Sequence, residues 1–398
     1  MGIAFNRRKV IEKIDRIIIF FLYMYAFFAC TGIAPSSVAM GFVLLLWIIK
    51  NIIDYKNFPR HQWGKIDIAA WLFVLSLIVA DVAYGFSHFY EALKYLYLIL
   101  FYYAIIETVV DLHRVKKLFI TSFISLSISL GYGFFQHFQG MRRIEGFISP
   151  LNLGLFLAMF LIFLLAYFFS GVEKMQYKIA LGALSVIVSV GLILTGTRGA
   201  WLAFLLGCIV LGVMYFRKVI LVLLVVVLLF SLFAPDMYID RFKSSFALSG
   251  VSSNTHRLNL WQSALEMFRD NPLTGVGTDR FKEEYRENYK KEGTRPFSHA
   301  HNNFLNIMAE AGLFGILSFL FLLAVILYFL YTGAEVIPDK RWRIFVISSF
   351  VAYVVFIING LTEFNYSDSE SVRYFWFLFA LNTVVIRSFR QRTGEIEQ

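Results

Sequence analysis

Apolar residues run along this chain in blocks separated by short polar stretches, and most blocks are close to the roughly 20 residues that an α-helix needs to cross a bilayer. About twelve segments can be drawn, near residues 15–33, 35–53, 66–84, 90–110, 117–137, 148–169, 177–195, 199–216, 219–234, 303–331, 343–361 and 372–388. The least marked boundary is at 195–199, where TGTRG alone interrupts a long apolar run. The pattern predicts an all-α polytopic membrane protein, with residues 1–398 forming one integral membrane domain.

One segment breaks the pattern. Residues 235–302, between the ninth and tenth spans, read as a long extramembrane loop. Within it, SSNTHRLNLWQSALEMFRDNP reads as a short helix: Ser252 to Thr255 offer N-caps, Pro272 follows its end, and Leu258, Trp261, Leu265 and Phe268 form one apolar stripe. That stripe predicts a helix lying along the membrane surface. PLTGVGTDRF reads as a turn, and the charge-rich stretch 279–295 as a solvated helix.

Composition agrees with the span pattern. The chain is 59% hydrophobic and 16% charged, against roughly 45–50% apolar for soluble proteins, so the several soluble domains that its length would allow are set aside. Cys30 and Cys208 both sit inside apolar runs, without metal-ligand spacing or a disulfide pattern. The basic N-terminal stretch and the apolar run after it read as an uncleaved first span, since no small-residue cleavage site follows.

The net charge of +10 raises the question of nucleic acid, but its placement gives a different answer. With the N terminus in the cytoplasm, 22 of the 37 basic residues fall in cytoplasmic segments, among them Arg7, Arg8, Lys9, Lys50, Lys65, Lys116, Lys117, Lys174, Arg217, Lys340, Arg341 and Arg387. The opposite short loops, such as LTEFNYSDSE at 361–370, are neutral or acidic. This is the positive-inside signal; it places both termini inside and the 235–302 loop outside.

The basic residues that violate that rule are the informative ones. Arg142 and Arg143 occupy a short outward loop, and Arg198 sits in the TGTRG turn. Arginine keeps its proton, and its planar fork matches phosphate oxygens, so an outward arginine cluster suits a lipid-borne diphosphate. An arginine at a span boundary also snorkels to headgroups, so each position taken singly leaves both readings open. Downstream, HAHNNFLNIMAEAG at 299–312 opens a strongly apolar span. Asn302 or Asn303 can cap it, with Asn303, Asn306 and Glu310 forming a polar stripe toward the bundle interior. His301, at the helix mouth, is a candidate proton acceptor near neutral pH. His299 and His301 can equally be polar interface residues. The His-x-His spacing can ligate zinc, but no cysteine or His-Glu-x-x-His partner accompanies it, and metal: none is the expectation, with cofactors: none.

These elements resemble the O-antigen ligase family. His301, Asn302, Gly312 and Gly315 fit its pattern of His-Asn, nine residues, Gly, two residues, Gly. RIEGFISPLN at 143–152 is similar to its Arg, Gly-Phe and Pro-Asn segment, with Leu151 intervening; GTRGAWLAF at 196–204 resembles its outward Arg-Gly turn; and THRLNLWQSALEMFRDNPLTGVG at 255–277 looks like its loop helix, with Arg257 and Trp261. The four elements stand in order over about 140–390. The resemblance implies a GT-C-type glycosyltransferase in the bacterial inner membrane with a periplasmic active site. It would transfer a glycan from undecaprenyl diphosphate to a sugar hydroxyl of the lipid A core, inverting and metal-independent. Carried onto this chain, His301 is the general base; Arg198, Arg257 and Arg143 bind the diphosphate; Asn302, His299 and Glu310 support, with Glu310 orienting His301 or capping a buried polar pair. The partners implied are the lipid-linked donor, the lipid A core acceptor and membrane lipids. An O-antigen polymerase would use the same donor site. A polytopic transporter is the reading from another class, disfavoured because the polar residues gather at one surface and not at mid-membrane.

Overall fold

The computed structural model describes residues 2–55, 64–85, 88–233, 238–240, 252–291 and 297–393. Nine long helices come first: α1 (Gly2–Phe28), α2 (Ile33–Ile53), α3 (Lys65–Ala83), α4 (Phe89–Thr108), α5 (Leu112–Phe138), α6 (Pro150–Phe169), α7 (Met175–Leu194), α8 (Arg198–Met214) and α9 (Lys218–Phe233). The loop region supplies α10 (Ser252–Asp270) and the single turn α11 (Phe281–Glu284), which runs into a π-helical turn at Tyr285–Tyr289. Then follow α12 (Asn303–Glu335), α13 (Lys340–Asn359) and α14 (Ser369–Thr393). No strand forms among the described residues.

Every segment drawn from the apolar pattern falls on a helix, yet seven of these helices, α2, α3, α5, α6, α7, α12 and α13, are both long and apolar enough to cross a membrane. Seven of the roughly twelve expected spans are therefore supported as membrane-crossing; the remaining segments are helical without meeting that measure. Helices α8 and α9 have 17 and 16 residues. Charged residues interrupt α4 (Lys94, Glu107) and α14 (Glu370, Arg373, Arg387), and the first turns of α1 are basic. The chain is a multi-pass, all-helical membrane protein.

Two helices form the centre. Residues 152–164 of α6 and 371–386 of α14 are buried without a break, which is what apolar residues on every helical face require. Helix α9 is the opposite case: Leu221, Leu224, Val225 and Leu228 are all exposed, an apolar surface suited to lipid.

The loop region has a small core of its own. Leu260, Ala264 and Met267 of α10 pack with Val276, Phe281, Tyr285, Ala300 and Ala309, flanked by Trp261, Tyr289 and Phe297. Three expectations are corrected here. The docked face of α10 is Leu260, Ser263, Ala264 and Met267, whereas Leu258 and Leu265 are exposed; the small Ser263 and Ala264 let neighbouring chain approach, and Ser263 Oγ donates to the Tyr289 carbonyl at 2.7 Å. The described part of 279–295 is not a solvated helix. Phe281 and Tyr285, one turn apart, are fully buried, so an aromatic stripe among the charges anchors it. Helix α10 itself runs from Ser252, so Ser252 to Thr255 lie in its first turn and not ahead of it.

Candidate functional site

The motif around His301 is built on a broken helix. Gly312 interrupts α12 with φ 63° and ψ −154°, a conformation open essentially to glycine. The break frees backbone groups on both sides, and the 272–277 turn takes them up. Val276 N donates to Ala309 O at 2.9 Å, Gly277 N to Glu310 O at 3.0 Å, Leu313 N to Pro272 O at 2.8 Å and Phe314 N to Leu273 O at 3.4 Å. A Cβ at Gly312 would overlap the Leu273 carbonyl and the Gly275 nitrogen, and one at Gly275 (φ 66°) would overlap Ala309 and Glu310. The Pro-Leu-x-Gly-x-Gly turn and the glycine of the His-Asn element are thus two halves of one backbone lock, which fastens the loop region to the mouth of α12.

Above the break, residues 303–311 form a short polar helix. Asn302 is its N-cap, with Oδ1 accepting from Phe304 N (2.9 Å) and Leu305 N (3.0 Å) and Nδ2 donating to Leu361 O at 2.9 Å. The stripe Asn303, Asn306 and Glu310 grips extramembrane chain. Asn303 Nδ2 donates to Asn365 Oδ1 at 2.7 Å, Asn306 Oδ1 accepts from Ala300 N at 2.9 Å, and Glu310 Oε1 accepts from Phe281 N at 3.2 Å. Of the two roles offered to Glu310, orienting His301 is not what the geometry gives: its carboxylate caps the start of α11.

His301 is oriented by Glu363 instead. This residue, in the loop between α13 and α14, was not among the candidates. Its Oε2 lies 3.3 Å from His301 Nδ1 and its Oε1 2.5 Å from Arg257 Nη2. The Glu363 side chain is 8% exposed, that of His301 21% and that of Arg257 24%. Burial works to raise the Glu363 pKa, but the His301 hydrogen bond and the Arg257 charge outweigh it and hold the carboxyl below its usual value. An ionised carboxylate only accepts, so His301 Nδ1 carries the proton, and Nε2 is left as the basic nitrogen.

His301 has φ 50°, unusual for a residue with a side chain. The neighbouring chain holds it there. Its backbone N donates to His299 Nδ1 at 3.1 Å, the two imidazoles meet edge to face at 4.2 Å, and Trp261 Nε1 donates to the Ala300 carbonyl at 3.0 Å. Burial, and then the adjacent His301, lower the His299 pKa to about 4. His299 is neutral at neutral pH and adds no charge beside the base.

The two upstream arginines sit half-buried on a neighbouring wall. Gly154 of α6 packs against Thr197, whose Oγ1 donates to Pro150 O at 2.9 Å, and this fixes the TGTRG turn at the head of α8. Arg143 Nε donates to the Thr195 carbonyl of that turn at 2.9 Å, and Ile144 N to Leu194 O at 3.2 Å, so Arg143 and Arg198 flank one turn. The turn in its own place adjoins the Glu363 loop: a side chain at Gly199 would overlap Thr362 Oγ1. The residue after Arg198 therefore touches the residue before Glu363. Arg142 is exposed. The structure gathers Arg257, His301, His299 and Asn302 around the 359–365 loop, sets the turn that carries Arg198 against that loop through Gly199, with Arg143 on the turn's other side, and sets Glu310 apart.

Residues 183–320 match the family described as O-Antigen ligase. The chain carries an O-antigen ligase family domain. The matched stretch holds the Arg198 turn, α10 with Arg257 and Trp261, the glycine turn and the His301 element, while Arg143 and Glu363 lie outside it. No curated protein matches the chain. The match covers about a third of the chain, and over that stretch the resemblance is to enzymes of the ligase and polymerase type in general.

Proposed function

We propose that the chain is an O-antigen ligase, transferring a glycan from undecaprenyl diphosphate to a sugar hydroxyl of the lipid A core at the periplasmic face of the inner membrane. In this reading all twelve long helices span the membrane, both termini are cytoplasmic, and α10 with the described stretch up to residue 291 roofs the site. The single observation that carries it is the Glu363 carboxylate bridging His301 and Arg257, with Arg198 one residue from the chain that packs beside it.

The chemistry follows from the groups present. The donor's lipid tail lies among the helices and its diphosphate meets the arginines. Arg257 spends one nitrogen on Glu363; its remaining N–H groups, with Arg198 and Arg143, neutralise the charge that grows on the leaving diphosphate. His301 Nε2 takes the proton of the acceptor hydroxyl as that oxygen attacks the anomeric carbon. Glu363 holds the imidazole in the tautomer that exposes Nε2 and stabilises the imidazolium that forms. A single in-line displacement inverts the anomeric centre, and the arginines supply the charge stabilisation that a divalent ion supplies elsewhere.

The test is deletion of the gene followed by gel analysis of surface polysaccharide. Loss of all long-chain lipopolysaccharide with accumulation of lipid-linked polymer is expected. A core carrying one repeat unit would instead identify a polymerase, and an unchanged pattern would contradict both.

A further inference from the structure

A buried arginine lies at the same end of the bundle, away from the His301 cluster. Arg373, about one turn into α14, is 9% exposed. Helix α14 starts at the end that bears the 359–365 loop, and α2 starts at that end too, one pair of spans away. The two starts are joined through this side chain: Arg373 Nη1 donates to Ser37 Oγ at 2.6 Å, about one turn into α2. Ser37 Oγ in turn donates to the Ile33 carbonyl at 2.6 Å.

Among the described residues, that bond is the hydrogen bond this cation makes. Arg373 Nε is buried without a hydrogen-bond partner, and among the described residues no carboxylate pairs with the guanidinium. From α1 the buried phenol of Tyr25, a neutral group, lies near it. The start of α2 adds to the imbalance. Its N-cap is Gly32, which has no side chain to cap with, and Pro35 in its first turn has no N–H. A helix N terminus carries partial positive charge. An arginine that cannot lose its proton, desolvated beside a positive helix end and lacking a counterion, is costly in a membrane unless an anion completes it.

We propose that Arg373 and the start of α2 form an anion site for the phosphate of a membrane lipid, separate from the arginines around His301. The exposed Ile33, Val38 and Phe42 on α2 give the attached lipid chains an apolar surface beside the site. Two sources share the phosphate: a polyprenyl phosphate and the headgroup of an anionic phospholipid. The site does not depend on the proposed transfer reaction.

Native mass spectrometry of the full chain in detergent tests it, with polyprenyl phosphate, phosphatidylglycerol and zwitterionic phosphatidylcholine as separate probes. The wild type is expected to retain one phosphate lipid that Arg373→Gln binds about ten- to a hundredfold more weakly, the loss of one charge-assisted contact. Arg373→Lys should retain part of the affinity. Weakening for the polyprenyl probe alone, for phosphatidylglycerol alone or for both supports the site and names its source. Equal binding of every probe by wild type and Arg373→Gln overturns it. Should Arg373→Gln fail to fold, Ser37→Ala decides. It removes the protein hydrogen bond and keeps the cation, so retained lipid binding supports the site. Loss of lipid binding in Ser37→Ala reduces Arg373 to a helix tie and overturns the proposal.

Discussion

Glu363→Gln isolates the electrostatic part of the candidate mechanism, because it keeps the size of the side chain and removes its charge. In the resting site the carboxylate touches His301 at 3.3 Å and Arg257 at 2.5 Å. When His301 takes the acceptor proton, the imidazolium gains a counter-charge at that distance. Coulomb attraction at 3.3 Å with an effective dielectric near 20 is about 5 kcal/mol. The imidazole is 21% exposed, so solvent screening reduces this to about 3 kcal/mol, roughly a hundredfold in kcat. The glutamine can also offer its NH2 to Nδ1 and select the wrong tautomer, which works in the same direction. Arg257 loses its neutralising partner but keeps its charge, so donor KM should stay level or fall. The assay is transfer by purified enzyme in proteoliposomes, with kcat and donor KM determined separately. A kcat within threefold of wild type would refute the role given to Glu363. A parallel loss of kcat, donor affinity and melting temperature would reduce it to a packing residue.

Three further outcomes follow from the geometry. Gly312→Ala puts a Cβ into the Leu273 carbonyl at a left-handed position; a cost of about 2–5 kcal/mol is expected, read as a lowered melting temperature in detergent. Arg198→Lys keeps charge but loses the planar fork, and donor KM should rise about tenfold with kcat less affected. His299→Asn tests the buried neutral imidazole. The folded pKa is about 4 against 6.5 unfolded, so the unfolded chain binds the extra proton in that window. The contribution of neutral His299 is complete above pH 6.5 and is lost as the pH falls toward 4. On acidification from pH 7 to 5 the wild type should lose more thermal stability than His299→Asn, and an equal loss would contradict that assignment.

What was legible in the sequence is what repeats locally. Each apolar run gave its helix, because membrane length and helical rise set one scale for all of them. The His301 element, the Arg198 turn and the Arg257–Trp261 helix announced themselves as polar groups where apolar ones belong. Glu363 gave no such signal: it is 62 residues from His301, in a short loop without periodicity, and only the folding of α13 and α14 against α12 brings it there. Glu310, nine residues after His301 and inside the helix that His301 precedes, was the natural choice to orient the imidazole. The break at Gly312 and the turn that fills it aim its carboxylate at Phe281 instead. The aromatic pair Phe281 and Tyr285 was hidden among charges, and Arg373 sat inside an apolar run where a single cation looked incidental.

The most direct test of the central claim is the transfer rate of His301→Ala in proteoliposomes loaded with lipid-linked donor. The enzyme should fold and bind donor as the wild type does, with transfer reduced about 10²–10⁴-fold, the usual share of a positioned base. Near-normal transfer would show that the proton leaves by another route and that the Glu363–His301 pair is not the centre of the reaction.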